Sequence, residues 1–204
     1  MSLPFGATAI GVRAKDGVIL ATDRRMSYGG FVMSRNARKV YKVNERAAAA
    51  FAGLYGDIGG LFRILQAEIK YHELTAKTPL TLMGLAKRLS TILYSYRFYP
   101  FYVEVLLGGI EKDGKPGLYV LDSLGSITEE PYAAIGSGAT IALGTLESGY
   151  REDLDVSEAE RLAIRAARSA IGRDAMSGDG IDIVSITVKG SNEKTIWLKL
   201  VETS

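Results

Sequence analysis

The chain has 204 residues, of which 47% are hydrophobic and 24% charged, a composition typical of one globular domain. It has no cysteine, which excludes disulfides, thiolate catalysis and cysteine-ligated metal sites. The net charge of +2 is too mild to indicate nucleic acid as a partner. No apolar run approaches the roughly 20 residues that cross a bilayer, so we expect a soluble, cytoplasmic protein. Only three asparagines and one glutamine occur, which favours a thermophilic source.

The first half of the chain predicts strands followed by two helices. β-branched segments flank Asp16-Gly17, a hairpin signal. The predicted strands cover residues 7–14, 18–22, 31–34, 40–43 and 47–53. From Asp57 the apolar period changes from two to 3.6, which predicts a helix to about Leu74 and a second one between Pro79 and Pro100.

The second half repeats this order. Its predicted strands cover residues 102–107, 117–122 and 126–129, and, after two further helices, 182–188 and 195–201. The first of those helices is predicted over residues 139–150. The second runs to about Arg173 and begins at a capping box that we place at Ser157-Glu158-Ala159-Glu160. Strand groups alternating with helix pairs favour an α+β fold, a four-layer αββα sandwich in one domain.

A hydrolase built on this chain would have few nucleophiles available. The single histidine, His72, falls in a helical pattern, where a solvated position is the simpler interpretation. Without cysteine or a usable histidine, one remaining option is a chain-terminal threonine whose own α-amine acts as the base. Such a site needs a buried lysine, a carboxylate that holds the lysine, and backbone N–H donors for the oxyanion.

Eight segments suggest which family this is. They are GATAIGV (6–12), LATDRR (20–25), SRNARKVYKV (34–43), AGLYGD (52–57), ILYSYRFYP (92–100), LLGGIE (106–111), IGSGA (135–139) and RDAMSGDGIDIV (173–184). In this order and spacing they make the chain resemble a proteasome β subunit, particularly the archaeal kind, from Ala7 onward. The resemblance implies a fold of the N-terminal-nucleophile hydrolase type, with residues 1–6 as a short leader and residues 7–204 as the β-type domain.

The resemblance also implies roles for single residues, without a metal or a cofactor. Lys39 would tune the nucleophile, Asp23 would be its carboxylate partner, and Arg25 a supporting charge. Gly53 would supply the oxyanion N–H. A second polar group would surround the terminal amine and its water: Ser137, Asp174 and Ser177. The specificity pocket would be lined by Met26, Ala37, Phe51 and Tyr55.

Simpler interpretations of these residues stay open from the sequence alone. Asp23 and Lys39 could form an ordinary salt bridge, and the Asp174 to Ser177 segment could be a helix-end turn. The four pocket residues could be core packing. Asp179 and Asp182 could either join a cation site or lie in a solvated turn.

The chain departs from active family members at the nucleophile. Those read glycine followed by threonine, whereas this chain reads Gly6-Ala7. Alanine has no side-chain oxygen, so self-processing and peptidolysis should both fail and the leader should stay attached. Thr8 is the alternative nucleophile. Strand alternation should point it away from the pocket, although a one-residue bulge would change that.

The resemblance therefore leaves two functional classes. The chain is either a silent structural subunit or a threonine endopeptidase that uses Thr8; an alanine engineered into an active parent is a third option. The implied partners are α subunits and catalytic β subunits in stacked seven-membered rings, with unfolded polypeptide in the chamber. We expect no nucleic acid and no membrane among the partners, and we expect the helix at residues 78–99 to contribute to subunit contacts.

Overall fold

Two five-stranded antiparallel sheets face each other at the centre of the protein. The structure, a computed structural model, describes residues 5–198. The strands there are β1 (Phe5–Gly6), β2 (Thr8–Ala14), β3 (Gly17–Asp23), β4 (Met26–Tyr28), β5 (Phe31–Ser34), β6 (Val40–Asn44), β7 (Ala47–Gly53), β8 (Val103–Ile110), β9 (Pro116–Leu121), β10 (Ile127–Glu129), β11 (Tyr132–Gly136), β12 (Gly180–Thr187) and β13 (Gly190–Trp197). The helices are α1 (Tyr55–Ala76), α2 (Leu82–Ser95), α3 (Ala139–Gly149) and α4 (Val156–Ile171).

The layers follow the order of the elements along the chain. One sheet has the order β10-β9-β8-β7-β6 and is covered by α1 and α2. The other has the order β11-β2-β3-β12-β13 and is covered by α3 and α4. A small third sheet, β1-β4-β5, lies beside them. The predicted four-layer αββα sandwich is confirmed.

Three apolar cores hold these layers together. Small and β-branched side chains fill the space between the sheets, among them Ala9, Ala48 and Val184. Larger side chains such as Phe51 and Leu89 fill the layer under α1 and α2. Burial of each such leucine or phenylalanine contributes roughly 1.5–3 kcal/mol to the stability of the fold. The packed layers therefore hold the strands in place, including the strand ends that carry polar residues.

Strand β2 shows how the layers orient the start of the chain. Ile10 and Val12 pack in the core under α3 and α4, whereas Ala7 and Ala9 pack between the two sheets. Side chains of a strand alternate between its faces. Residues with even numbers therefore face the helices here, and residues with odd numbers face the opposite sheet.

The sequence-based boundaries need three corrections. The capping box of α4 is formed by Asp155 and Glu158, so Ser157 is a helical residue and not the cap. The last hairpin turns between Thr187 and Gly190, which starts β13 earlier than predicted because a polar strand resembled a loop. Strands β1, β4 and β11 were not predicted, and residues 199–201 of the last predicted strand lie outside the described residues. Within residues 5–198, no helix is long and apolar enough to span a bilayer.

Candidate active site

A buried ion pair lies where β3 ends and β6 begins. Asp23 is the last residue of β3, and Lys39 directly precedes β6. Their side chains are 0% and 2% exposed, and Lys39 Nζ lies 3.1 Å from Asp23 Oδ1. Lys39 Nζ also donates to the carbonyl of Arg25 at 2.6 Å. Burial lowers the pKa of Lys39, and the charge of Asp23 opposes that shift.

Asp23 also connects three segments of backbone. Its Oδ1 accepts from the backbone N–H of Thr8 at 2.9 Å. Its Oδ2 accepts from the N–H groups of Arg25, at 2.9 Å, and Gly178, at 3.0 Å. Burial raises the pKa of Asp23, and Lys39 and these backbone N–H groups oppose the rise. The pair is therefore more than an ordinary salt bridge, because it fixes the start of β2 against two loops.

A second polar group converges on the carboxylate of Asp174. The hydroxyls of Ser137 and Ser177 each donate to Asp174 Oδ2 at 2.6 Å. Thr8 Oγ1 lies 2.7 Å from Ser177 Oγ, and Ser137 Oγ lies 3.3 Å from the carbonyl oxygen of Ala7. These contacts bring together the loop after α4, the turn between β11 and α3, and the start of β2.

Ala7 and Thr8 use opposite faces of the chain. Ala7 is 1% exposed and packs between the sheets. Thr8 is equally buried, but its hydroxyl contacts Ser177 on the helix side, and a Cβ at Gly138 would lie 2.1 Å from Thr8 Oγ1. Strand β2 pairs with β3 and β11 without a register shift, so the bulge considered above is not found there.

A small cavity lies beside Lys39 and the end of β7. Its wall includes Gly6, Lys39 and Gly53. Its volume is about 50 Å³, well below the roughly 300 Å³ at which typical ligand pockets begin. Gly53 has φ +137°, and a Cβ there would lie 2.1 Å from the carbonyl oxygen of Tyr102. Only glycine fits this backbone position.

The two described residues before Ala7, Phe5 and Gly6, form a strand beside the same cavity. Strand β1 pairs antiparallel with β4, placing Phe5 opposite Tyr28 and Gly6 opposite Ser27. A Cβ at Gly6 would lie 2.0 Å from the Cβ of Met176. The backbone at Gly6 is therefore enclosed between β4 and the loop that follows α4.

Proteins of known family have sequences similar to this chain. The sequence profile of the family described as "Proteasome subunit" matches residues 4–186. The chain belongs to the proteasome subunit family. It is 52% identical to "Proteasome subunit beta 1" of Hyperthermus butylicus over 89% of each chain. It is 48% identical to "Proteasome subunit beta 1" of Ignicoccus hospitalis, over 91% of this chain and 92% of that one. It is also 45% identical to "Proteasome subunit beta 2" of Pyrobaculum neutrophilum over 96% of each chain. The resemblance to archaeal proteasome β subunits is thereby confirmed.

The pocket residues implied by the proteasome family divide into two pairs. Met26 and Tyr55 line the cavity. Ala37 and Phe51 are buried and do not belong to its wall, since Phe51 packs against Phe62 under α1. The remaining wall residues are Arg25, Ser27, Tyr28, Met33 and Leu54. Met33 and Leu54 were not predicted to line the cavity. Met33 lies in the predicted strand at residues 31–34, but its pairing with β4 was not predicted, and neither was the start of α1 at Tyr55.

The sequence also left open what Asp179 and Asp182 do, and neither proposed interpretation is right. Asp179 pairs with Arg25 at 2.9 Å and with Arg35 at 2.6 Å, and its side chain is 5% exposed. Asp182 pairs with Arg24. Both carboxylates thus pair with arginines and are shielded from solvent. No group of three or more acidic or histidine side chains that could hold a metal occurs among residues 5–198.

Proposed function

We propose that this β subunit of the proteasome core particle is a structural and assembly subunit that does not itself cleave peptides. The observation that carries the proposal is the methyl group of Ala7. Ala7 follows Gly6, which lines the cavity together with Lys39. It precedes Thr8, whose N–H donates a hydrogen bond to Asp23. The groups that would tune a nucleophile lie beside a residue that has no side-chain oxygen.

The chemistry of the site supports this proposal. A threonine nucleophile would need its hydroxyl close to a lysine of lowered pKa. The carbonyl group that it attacks would have to lie close to backbone N–H donors. Lys39, Asp23 and Gly53 are arranged for such a task. Without an attacking oxygen at residue 7, the bond after Gly6 stays intact, and no free α-amine is formed there.

The position of β1 supports retention of the leader. Strand β1 pairs with β4, and Gly6 forms part of the cavity wall. A substrate strand that entered this cleft would have to displace β1 from β4. In an uncleaved chain, the backbone at Phe5 and Gly6 therefore keeps its place beside the cavity.

The runner-up function is threonine peptidase activity from Thr8, and one observation favours it. The backbone nitrogen of Thr8 lies 2.9 Å from Asp23 Oδ1, and the Thr8 hydroxyl lies 2.7 Å from Ser177 Oγ. Ser177 in turn donates a hydrogen bond to Asp174. Two observations oppose it. The hydroxyl points to the helix side of β2, and the Ala7–Thr8 bond that would have to be cut lies between two residues that are each 1% exposed.

The proposal extends to the partners. We infer that the subunit assembles in the cytoplasm with α subunits and catalytic β subunits in stacked seven-membered rings, around a chamber that receives unfolded polypeptide. Exposed aromatic side chains at the end of α2 and just after it, including Phe98 and Tyr99, support a subunit contact in this region.

The test uses particles in which the catalytic β partner has lost its own nucleophile. We expect no hydrolysis of fluorogenic peptides and an intact mass for this subunit that includes the residues before Ala7. Hydrolysis that disappears on Thr8→Ala would instead establish the runner-up. Loss of the residues before Ala7 from wild-type subunit, with hydrolysis unaffected by Thr8→Ala, would contradict both functions.

A further inference from the structure

Asp179 makes more contacts than a turn residue requires. It lies between α4 and β12, with a side chain only 5% exposed. Its Oδ2 accepts from Arg25 Nε at 2.9 Å, and its Oδ1 accepts from Arg35 Nη1 at 2.6 Å and from Arg25 Nη2 at 3.4 Å. Its φ of +71° is in the left-handed region, which Asp and Asn tolerate better than other non-glycine residues.

The two arginines bracket one hairpin. Arg25 directly precedes β4, and Arg35 directly follows β5. The hairpin turns at Gly29-Gly30, both with positive φ. A single carboxylate therefore holds the two ends of the β4–β5 hairpin together at its base. Strand β4 pairs with β1. The same carboxylate therefore holds the hairpin against which Phe5 and Gly6 pair.

Arg25 carries this effect into the site. Its backbone N–H donates to Asp23, and its carbonyl accepts from Lys39 Nζ. Its guanidinium lies over Gly178, where a Cβ would be 2.4 Å from Arg25 Cζ. Any shift of Arg25 consequently moves the acceptor that Lys39 contacts.

We propose that Asp179 is a positioning residue that fixes the base of the β4–β5 hairpin and, through Arg25, the Lys39–Asp23 pair. The proposal does not depend on whether the subunit cleaves peptides, because each contact concerns the frame of the site and not the nucleophile. The loop after α4 also contacts the hairpin through Ser27, whose hydroxyl donates to the carbonyl of Met176 at 3.3 Å. Asp179 is the charged part of that contact.

The first test is hydrogen exchange by mass spectrometry on the full-length chain with Asp179→Asn, which keeps the size and tolerates the same φ. We expect amides in residues 24–35 to exchange at least tenfold faster, with those of α4 unchanged. The matched control is Glu193→Gln, which breaks a different arginine pair, that of Arg38, and should leave residues 24–35 unaffected. Unchanged exchange in residues 24–35, or an equal rise in α4, would overturn the proposal.

The second test separates positioning from general stabilisation by measuring reductive methylation of Lys39. Asp179→Asn should raise its methylation rate several-fold, because the Arg25 carbonyl no longer stays in place. Arg35→Gln, at a side chain that is 54% exposed, should speed exchange in the hairpin but leave Lys39 protected. If Asp179→Asn does not fold, this Arg35 variant decides, since hairpin exchange equal to wild type would contradict the proposal.

Discussion

At residue 7, the proposed function predicts that a side-chain hydroxyl group separates a silent from an active subunit. Ala7→Thr places that hydroxyl between Gly6, which lines the cavity together with Lys39, and Thr8, whose N–H donates to Asp23. We expect the variant to cut its own chain after Gly6 and to hydrolyse fluorogenic peptides in assembled particles. Intact mass and initial rate measure the two effects.

The matched control is Ala7→Val, which has the β-branched shape of threonine without the oxygen. It should keep the segment before residue 7 and stay inactive. A threonine variant as silent as the valine variant would mean that the silent state has a cause beyond the missing oxygen.

A second prediction at this scale concerns the pH dependence of stability at Asp179. Burial works to raise the pKa of this carboxyl, but its contacts with Arg25 and Arg35 prevail and hold the pKa below the usual 3.8. A lowered pKa gives stability that is fully present above pH 3.8 and is lost as pH falls through the lower folded-state value. Asp179→Asn should therefore cost about 2 kcal/mol at pH 7 and progressively less below pH 4.

Denaturant unfolding of both forms across this pH range measures the difference. Glu193→Gln is again the comparison, since its carboxylate pairs at the surface, where 35% of the side chain is exposed, and should cost at most about 1 kcal/mol. A difference between Asp179→Asn and wild type that stays constant from pH 7 to pH 3 would contradict the assignment.

The site residues that could be predicted from the sequence lie within the segments that resemble the proteasome family. Lys39 and Asp23 stood in such segments, and the structure brings them to 3.1 Å. Asp179 was misread because its partners, Arg25 and Arg35, are 154 and 144 residues away in the chain. Ion pairs of that separation depend on the packing of loops, which no local pattern records.

At the scale of elements, length and periodicity decided what could be predicted. Helices α2 and α4 have apolar stripes that match their buried faces, so the pattern alone located them. Strands β1 and β4 have two and three residues, too few to show an alternation. They pair with each other beside the cavity, and their existence depends on tertiary contacts.

The cap of α4 yields a stability prediction. Asp155 accepts from the N–H of Glu158 at 2.8 Å, and the Glu158 side chain accepts from the N–H of Asp155 at 3.1 Å. Asp155→Ala should destabilise the protein by about 1 kcal/mol, because it leaves helix N–H groups without an acceptor. Ser157→Ala, two residues later, should change the unfolding free energy by less than about 0.5 kcal/mol. Equal costs in thermal or denaturant unfolding would argue against this cap.

The end of β7 yields a second contrast, between two glycines three residues apart. Gly53→Ala puts a Cβ 2.1 Å from a carbonyl oxygen at φ +137°, and it should cost roughly 2–4 kcal/mol. Gly56 is exposed in the first turn of α1, and a Cβ there would have no atom of another segment within 4 Å. Gly56→Ala should be neutral or stabilise by up to about 1 kcal/mol. Unfolding midpoints of the two variants that move together would contradict this.

At the scale of the whole molecule, apolar surface is concentrated where α2 ends. Phe98 is 78% exposed and Tyr99 90% exposed, and Arg97 lies 4.5 Å from the ring centroid of Phe98. Aromatic residues and arginine are the side chains that most often dominate protein interfaces. Their exposure in a single chain supports the inference that another subunit covers this surface.

The last prediction follows from that surface. Phe98→Ser combined with Tyr99→Ser should leave the unfolding midpoint of the isolated subunit nearly unchanged, because the two rings bury little area within it. Assembly with partner subunits should weaken at least tenfold, which corresponds to about 1.4 kcal/mol, as measured by native mass spectrometry across a concentration series. Val188→Ser removes an isolated apolar side chain of 65% exposure in the turn between β12 and β13, and it should leave assembly intact. Equal assembly by the aromatic variant and wild type would mean that this surface faces solvent in the particle, since an interface that buries two aromatic rings cannot lose both without a measurable cost.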